Sequence, residues 1–117
     1  MLTGMHASID SFEEKKIDGG KNNVVFYKMV IGFSKNNKKW FLLKRYSDFD
    51  ALQKQIKDIY PNLPLLPAKT FFKLSDQKYI EERRKTLNTY IKALVNRKDM
   101  RTCSAFRKFI DIEGHFP

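Results

Sequence analysis

From Val24 to Phe33 the chain reads VVFYKMVIGF, a β-branched and aromatic run that predicts a strand. The turn formers DGGKNN, Asp18 to Asn23, lead into it, and the polar stretch SKNNKK, Ser34 to Lys39, follows it. WFLLKRY, Trp40 to Tyr46, then predicts a strand returning beside the first. The weakly patterned segment Ala7 to Lys16 is assigned as the third strand of an antiparallel sheet. Beyond Tyr46 the apolar period changes. Phe49, Leu52, Ile56 and Ile59 recur at three- and four-residue intervals as one stripe, and Ser47 with Asp50 has the spacing of a helix start, so a helix is expected from Ser47 to about Tyr60. PNLPLLPAK, Pro61 to Lys69, contains Pro61, Pro64 and Pro67, which remove backbone donors and force an extended path that no helix can cross. From about Asp76 to Val95 the positions Ile80, Leu87, Tyr90, Ile91 and Leu94 fit one helical face. A shorter helix around Met100 to Ile110 presents Cys103, Phe106, Phe109 and Ile110. Strands followed by helices give an α+β fold: a three-stranded antiparallel sheet against a helical subdomain, with the Pro-rich loop between the first and second main helices.

Composition narrows the functional classes. The 117 residues suffice for one domain, 1–117, with a modest core, and 42% hydrophobic and 14% aromatic content is that of a globular chain. Lys and Arg outnumber Asp and Glu by 23 to 13, and the net charge of +10 points to an anionic partner, be it nucleic acid, acidic protein or anionic lipid. Met29 to Phe33 and Trp40 to Leu43 are far too short to span a bilayer, and the N-terminus lacks an apolar secretory core, so a soluble, cytosolic protein is expected. A lone cysteine, Cys103, excludes an internal disulfide and reads as a small buried hydrophobe. His6 and His115 lie near opposite ends, both read as surface residues, and neither has a partner at metal-ligand spacing. No nucleophile, base and orienting group share a recognisable spacing, so neither an enzyme nor a cofactor is expected.

Three segments carry candidate chemistry. KRYSDF, Lys44 to Phe49, places cations and an aromatic where a strand ends and a helix begins. Lys69 closes the Pro-rich segment and is followed by Phe71 and Phe72. Within EERRK, Glu81 to Lys85, Arg83 stands three residues after Ile80 and four before Leu87, so it borders the apolar stripe, whereas Arg84 points further round. Taken singly, Arg45 and Lys69 read as solvated cations, Tyr46 as packing, and the charged run as a solvated helix face. Together they could converge on a phosphorylated polyol: Arg gives bidentate bonds to phosphate, Lys a point charge, and an aromatic face packs on a sugar-like ring.

Arg45-Tyr46 within KRYSDF, the segment Leu63-Pro64-Leu65-Leu66-Pro67-Ala68-Lys69, and Ile80-Glu81-Glu82-Arg83 leading into Leu87 together resemble the phox-homology (PX) domain, the phosphoinositide-binding module of sorting nexins and related trafficking proteins. The resemblance implies that Arg45 takes the 3-phosphate, Tyr46 packs under the inositol ring, Lys69 reaches the 1-phosphate and Arg83 hydrogen-bonds the 4- and 5-hydroxyls. Lys44 stands where many members have a second Arg, and Ala68 precedes the lysine where Gly is common. The resemblance further implies a peripheral membrane module for phosphatidylinositol 3-phosphate on the cytosolic face of endosome-like membranes, acting in protein sorting or vesicle trafficking. A monomeric module forming part of a larger polypeptide is expected.

Phe71, Phe72 and Leu74 follow Lys69 directly, so a docked head group would bring them to the bilayer; they are expected to add membrane insertion, with one phenylalanine anchoring the loop to the core. Two rival readings stay open. Pro64-x-x-Pro67 before Lys69 also fits a ligand for Src-homology-3 domains, which makes the Pro-rich loop a candidate for protein partners. A basic nucleic-acid-binding domain would account for the charge, but the sequence has neither an RNA-recognition signature nor a recognition-helix motif.

Overall fold

A computed structural model describes residues 4–20, 22–66 and 77–115. Strands β1 (Met5–Ile17), β2 (Asn22–Phe33) and β3 (Lys39–Lys44) form one antiparallel sheet in the order β1-β2-β3. Four helices follow: α1 (Tyr46–Ile56), α2 (Gln77–Val95), α3 (Ser104–Phe109) and α4 (Ile112–His115), with a 3-10 turn over Lys98–Thr102. The expected α+β architecture is therefore the observed one.

The weakly patterned N-terminal segment is a strand as long as its neighbour, and a β-bulge explains why its pattern is weak. Met5, Ala7 and Ile9 are buried in strict alternation, the register then slips between Ile9 and Ser11, and the next inward residue is Phe12, opposite Tyr27. One inserted residue breaks the period-2 signal in sequence while preserving one buried face in space. A 3-10 turn, Asp18–Gly20, joins β1 to β2, and Gly19 and Gly20 supply its positive φ of 67° and 91°.

The strand expected over Trp40 to Tyr46 ends at Lys44, and the helix expected from Ser47 starts at Tyr46. Asp48, rather than Asp50, closes the helix start: its Oδ2 accepts the Arg45 backbone N–H at 2.8 Å. Asp50 instead pairs with Lys54 one turn on, at 2.9 Å. The helix also stops earlier than its apolar stripe suggests. Phe49, Leu52 and Ile56 are buried, whereas Ile59 lies past the last helical residue and is 69% exposed.

Helix α2 lies along β1 and contributes Ile80, Leu87, Tyr90, Ile91 and Leu94 to the core, all buried as the stripe predicts. The expected helix over Met100 to Ile110 is divided, with a 3-10 turn before Cys103 and α3 after it. Cys103 is buried, as expected. His6 is exposed, but His115 is only half-exposed: its ring stacks on Trp40 with centroids 4.6 Å apart, while Trp40 Nε1–H donates to Ile110 O at 2.9 Å. These contacts tie the C-terminal helices to β3. Among the described residues no helix is long and apolar enough to cross a membrane.

The aromatic core makes a pH prediction. Tyr27 is buried at the centre of the sheet, and burial pushes its hydroxyl from 10.0 to about 12, with the Arg83 charge pulling the other way. Burial pushes Tyr90 up as well. The fold favours the protonated phenol, so this stabilisation is complete below the unfolded value near 10 and is lost as pH rises through about 12. Urea unfolding should show a loss of about 2 to 3 kcal/mol from Tyr27 across that window. Tyr27→Phe should flatten the alkaline fall, and an unchanged curve would remove Tyr27 as its cause.

Candidate functional site

The site begins where β3 hands over to α1. Arg45 is the residue before the helix, with extended backbone (φ −88°, ψ 162°), and its N–H is taken by Asp48. The guanidinium has only donors, so it cannot accept the reciprocal helix-start bond that a serine or aspartate there would make. It is exposed and pairs with no acidic side chain among the described residues. The chain thus uses a helix-cap position to display a cation on rigid backbone.

Tyr46, next along, is half-buried, and its ring faces Arg83 of α2: the guanidinium carbon lies 4.0 Å from the ring centroid. Arg83 is the one charged residue among the described core positions, 8% exposed. Tyr79, one turn earlier on α2, lies against it as well, with its ring centroid 4.9 Å from the guanidinium carbon, and its hydroxyl accepts a hydrogen bond from Arg83 Nη2. Tyr27 in β2 also interacts electrostatically with Arg83. No carboxylate lies within ion-pair distance of Arg83 among the described residues. A guanidinium removed from water and balanced only by ring faces and a phenol retains donors for an anionic or hydroxylated ligand.

The predicted site residues divide accordingly. Tyr46 and Arg83 come together, with Arg45 adjoining Tyr46 in the chain. Lys69, Phe71, Phe72 and Leu74 lie outside the described residues, as do Pro67 and Ala68. The start of the Pro-rich segment is described and is clamped: Arg97 donates to the carbonyls of Asn62 and Pro61, each at 2.8 Å, and pairs with Asp99 at 2.7 Å. Lys44, the cation before Arg45, is half-buried over Phe109, with its amine 4.5 Å from the ring centroid, and burial lowers its pKa. It lines an open pocket of about 230 Å³ with Asp48, Leu52, Gln55 and Lys108.

Arg84 is a structural residue. Its Nη1 donates to Ile9 O of β1 at 2.5 Å and its Nη2 pairs with Glu81 at 2.6 Å, while the Ile9 N–H donates to Asn88 Oδ1 at 2.8 Å. Side chains of α2 thereby satisfy the backbone of the edge strand at its bulge. Tyr27 and Tyr79 went unmarked in the sequence reading. Tyr79 carries a local signal, four residues before Arg83 and so on the same helix face. Tyr27 is placed only by register, opposite Lys44 across the β2–β3 pair.

Comparison with known proteins agrees with this arrangement. The family model described as PX domain matches residues 33–113. The chain is 32% identical over 89 residues to mouse sorting nexin-16, covering 74% of this chain and 26% of that protein. It is 30% identical over 109 residues to the rat serine/threonine-protein kinase Sgk3, covering 92% of this chain and 21% of that kinase. It thus spans about a quarter or less of these relatives. The X-ray structure of a designed CISK-PX domain superposes with a TM-score of 0.78 at 31% identity, covering 89% of this chain and 96% of that one. The mouse SNX19 PX domain, in a structure with bound sulphate ion, shares the fold with a TM-score of 0.68 at 16% identity, over 92% of this chain and 97% of that one. The chain belongs to the PX-domain family, phosphoinositide-binding modules of sorting nexins and related trafficking proteins.

Proposed function

We propose that this chain recognises phosphatidylinositol 3-phosphate on the cytosolic face of endosome-like membranes and serves there in protein sorting or vesicle trafficking. The observation that carries the reading is Arg83: a nearly buried guanidinium flanked by tyrosines and without a carboxylate partner among the described residues. Burying such a charge unpaired is costly, and a ligand rich in oxygen acceptors offsets the cost. Arg45 grips the 3-phosphate with its exposed fork, Tyr46 supports the inositol ring, Arg83 reads the 4- and 5-hydroxyls, and Lys69 meets the 1-phosphate. The module occupies residues 1–117, acts as a monomer and forms part of a larger protein whose other regions set its task. The reading is tested by vesicle sedimentation against a panel of singly and multiply phosphorylated inositides, with RNA at matched salt as comparison. Preference for the 3-phosphorylated lipid supports it, whereas equal binding to every anionic vesicle and to RNA rejects it in favour of a diffuse basic surface.

Head-group capture is joined by apolar insertion. Fully burying a Phe or Leu side chain adds roughly 1.5 to 3 kcal/mol and depends little on salt, unlike the roughly 1 kcal/mol that each cation gains near an anionic surface. Phe71→Ser, Phe72→Ser and Leu74→Ser should separate the roles. An insertion residue loses vesicle binding but keeps binding to soluble inositol 1,3-bisphosphate and its melting temperature; the anchor to the core loses melting temperature. If none of the three shows the first pattern, the insertion proposal fails.

A further inference from the structure

We infer that Tyr79 is a positioning residue of the head-group site, holding the Arg83 guanidinium in the orientation from which it reads the ligand. The inference rests on the phosphoinositide reading above and adds a residue to it.

Arginine has a long, rotamer-rich side chain, and ordering it only when ligand arrives costs affinity. Arg83 is ordered beforehand. Tyr46 lies 4.0 Å from the guanidinium carbon on one element, and Tyr79 lies 4.9 Å from it on another. Packing against rings alone leaves the planar fork able to rotate in its own plane. The Tyr79 hydroxyl removes that freedom, because it accepts from Nη2 and so fixes which donors stay available. Tyr79 can do this because it stands four residues before Arg83 on α2, where side chains one turn apart meet. An aromatic without the oxygen would preserve the packing and lose the orientation.

Tyr79→Phe removes the oxygen alone, and Tyr79→Leu also removes the ring. The probes are soluble inositol 1,3-bisphosphate, read by calorimetry, and phosphatidylcholine vesicles with and without phosphatidylinositol 3-phosphate, read by sedimentation. Tyr79→Phe should weaken both by about tenfold, as expected for losing one hydrogen bond to a charged group, with a melting temperature close to the parent's. Tyr79→Leu should weaken them further. The Nε–Hε and Nη signals of Arg83, followed by nitrogen-15 NMR without ligand, should show faster guanidinium rotation in Tyr79→Phe. A double-mutant cycle separates positioning from a merely structural role: once Arg83→Ala has been made, adding Tyr79→Phe should change binding less than twofold. Parent-like binding by Tyr79→Phe, or an equal further loss in the Arg83→Ala background, overturns the positioning role. Failure of the parent itself to prefer the 3-phosphorylated lipid would instead reject the reading on which this inference rests.

Discussion

Arg45→Ala yields a folded protein that no longer distinguishes vesicles carrying phosphatidylinositol 3-phosphate from vesicles lacking it. The fold uses the backbone of Arg45: its N–H goes to Asp48 and its carbonyl accepts the Asp48 N–H at 3.0 Å, and alanine keeps both. The guanidinium is exposed and pairs with no acid among the described residues, so removing it costs the core nothing. Its proposed bond to the 3-phosphate is charge-assisted and bidentate. With each such hydrogen bond worth about 1.5 to 3 kcal/mol, losing the pair should weaken head-group binding by at least a hundredfold. Arg45→Lys keeps the charge and loses the fork, so it should restore only a small part of the affinity. Sedimentation with matched vesicles, alongside thermal melting, is the measurement. Parent-like binding by Arg45→Ala would show that the phosphate lies elsewhere, with the two-lysine pocket beside Phe109 the next place to look.

Much of this architecture was readable because local patterns survive folding unchanged. The α2 stripe from Ile80 to Leu94 sits on one helix face, and the same register that buries Leu87 carries Arg83 into the core margin. Convergence of Tyr46 and Arg83 needed no more than a strand end and a helix packed beside it. What was misread depends on tertiary context. The bulge at Ile9 breaks alternation in a strand that pairs along its whole length with β2, so pattern alone understates β1. Two aspartates could close the start of α1, and the choice is made by where β3 stops pairing, since Lys44 is the last residue opposite β2. His115 looked like a surface residue because its partner, Trp40, is distant in sequence and meets it only through the fold. Tyr27 likewise belongs to the site through cross-strand register, which no window along the chain contains.

Adjacent arginines of α2 should fail in opposite ways. Arg83 and Arg84 are separated by about 100° around the helix, enough to send one to the tyrosine cluster and the other to the edge of β1. Arg84→Ala leaves the Ile9 carbonyl without its donor and breaks the pair with Glu81, a loss of about 1 to 3 kcal/mol. For a domain of this size that lowers the melting temperature by roughly 4 to 15 °C. Binding per folded molecule should stay within twofold of the parent, because Arg84 does not reach the site. Arg83→Ala reverses the pattern. Its stability should change little, since the packing lost with the side chain is offset by relief from burying an unpaired charge. Its head-group affinity should drop at least thirtyfold, with the hydrogen bonds to ring hydroxyls gone and Tyr46 left without the cation behind it. Melting curves and calorimetric titration with inositol 1,3-bisphosphate on both variants provide the test. Equal losses of affinity from the two would mean that the helix presents a diffuse basic face, and that the burial of Arg83 is a matter of packing alone.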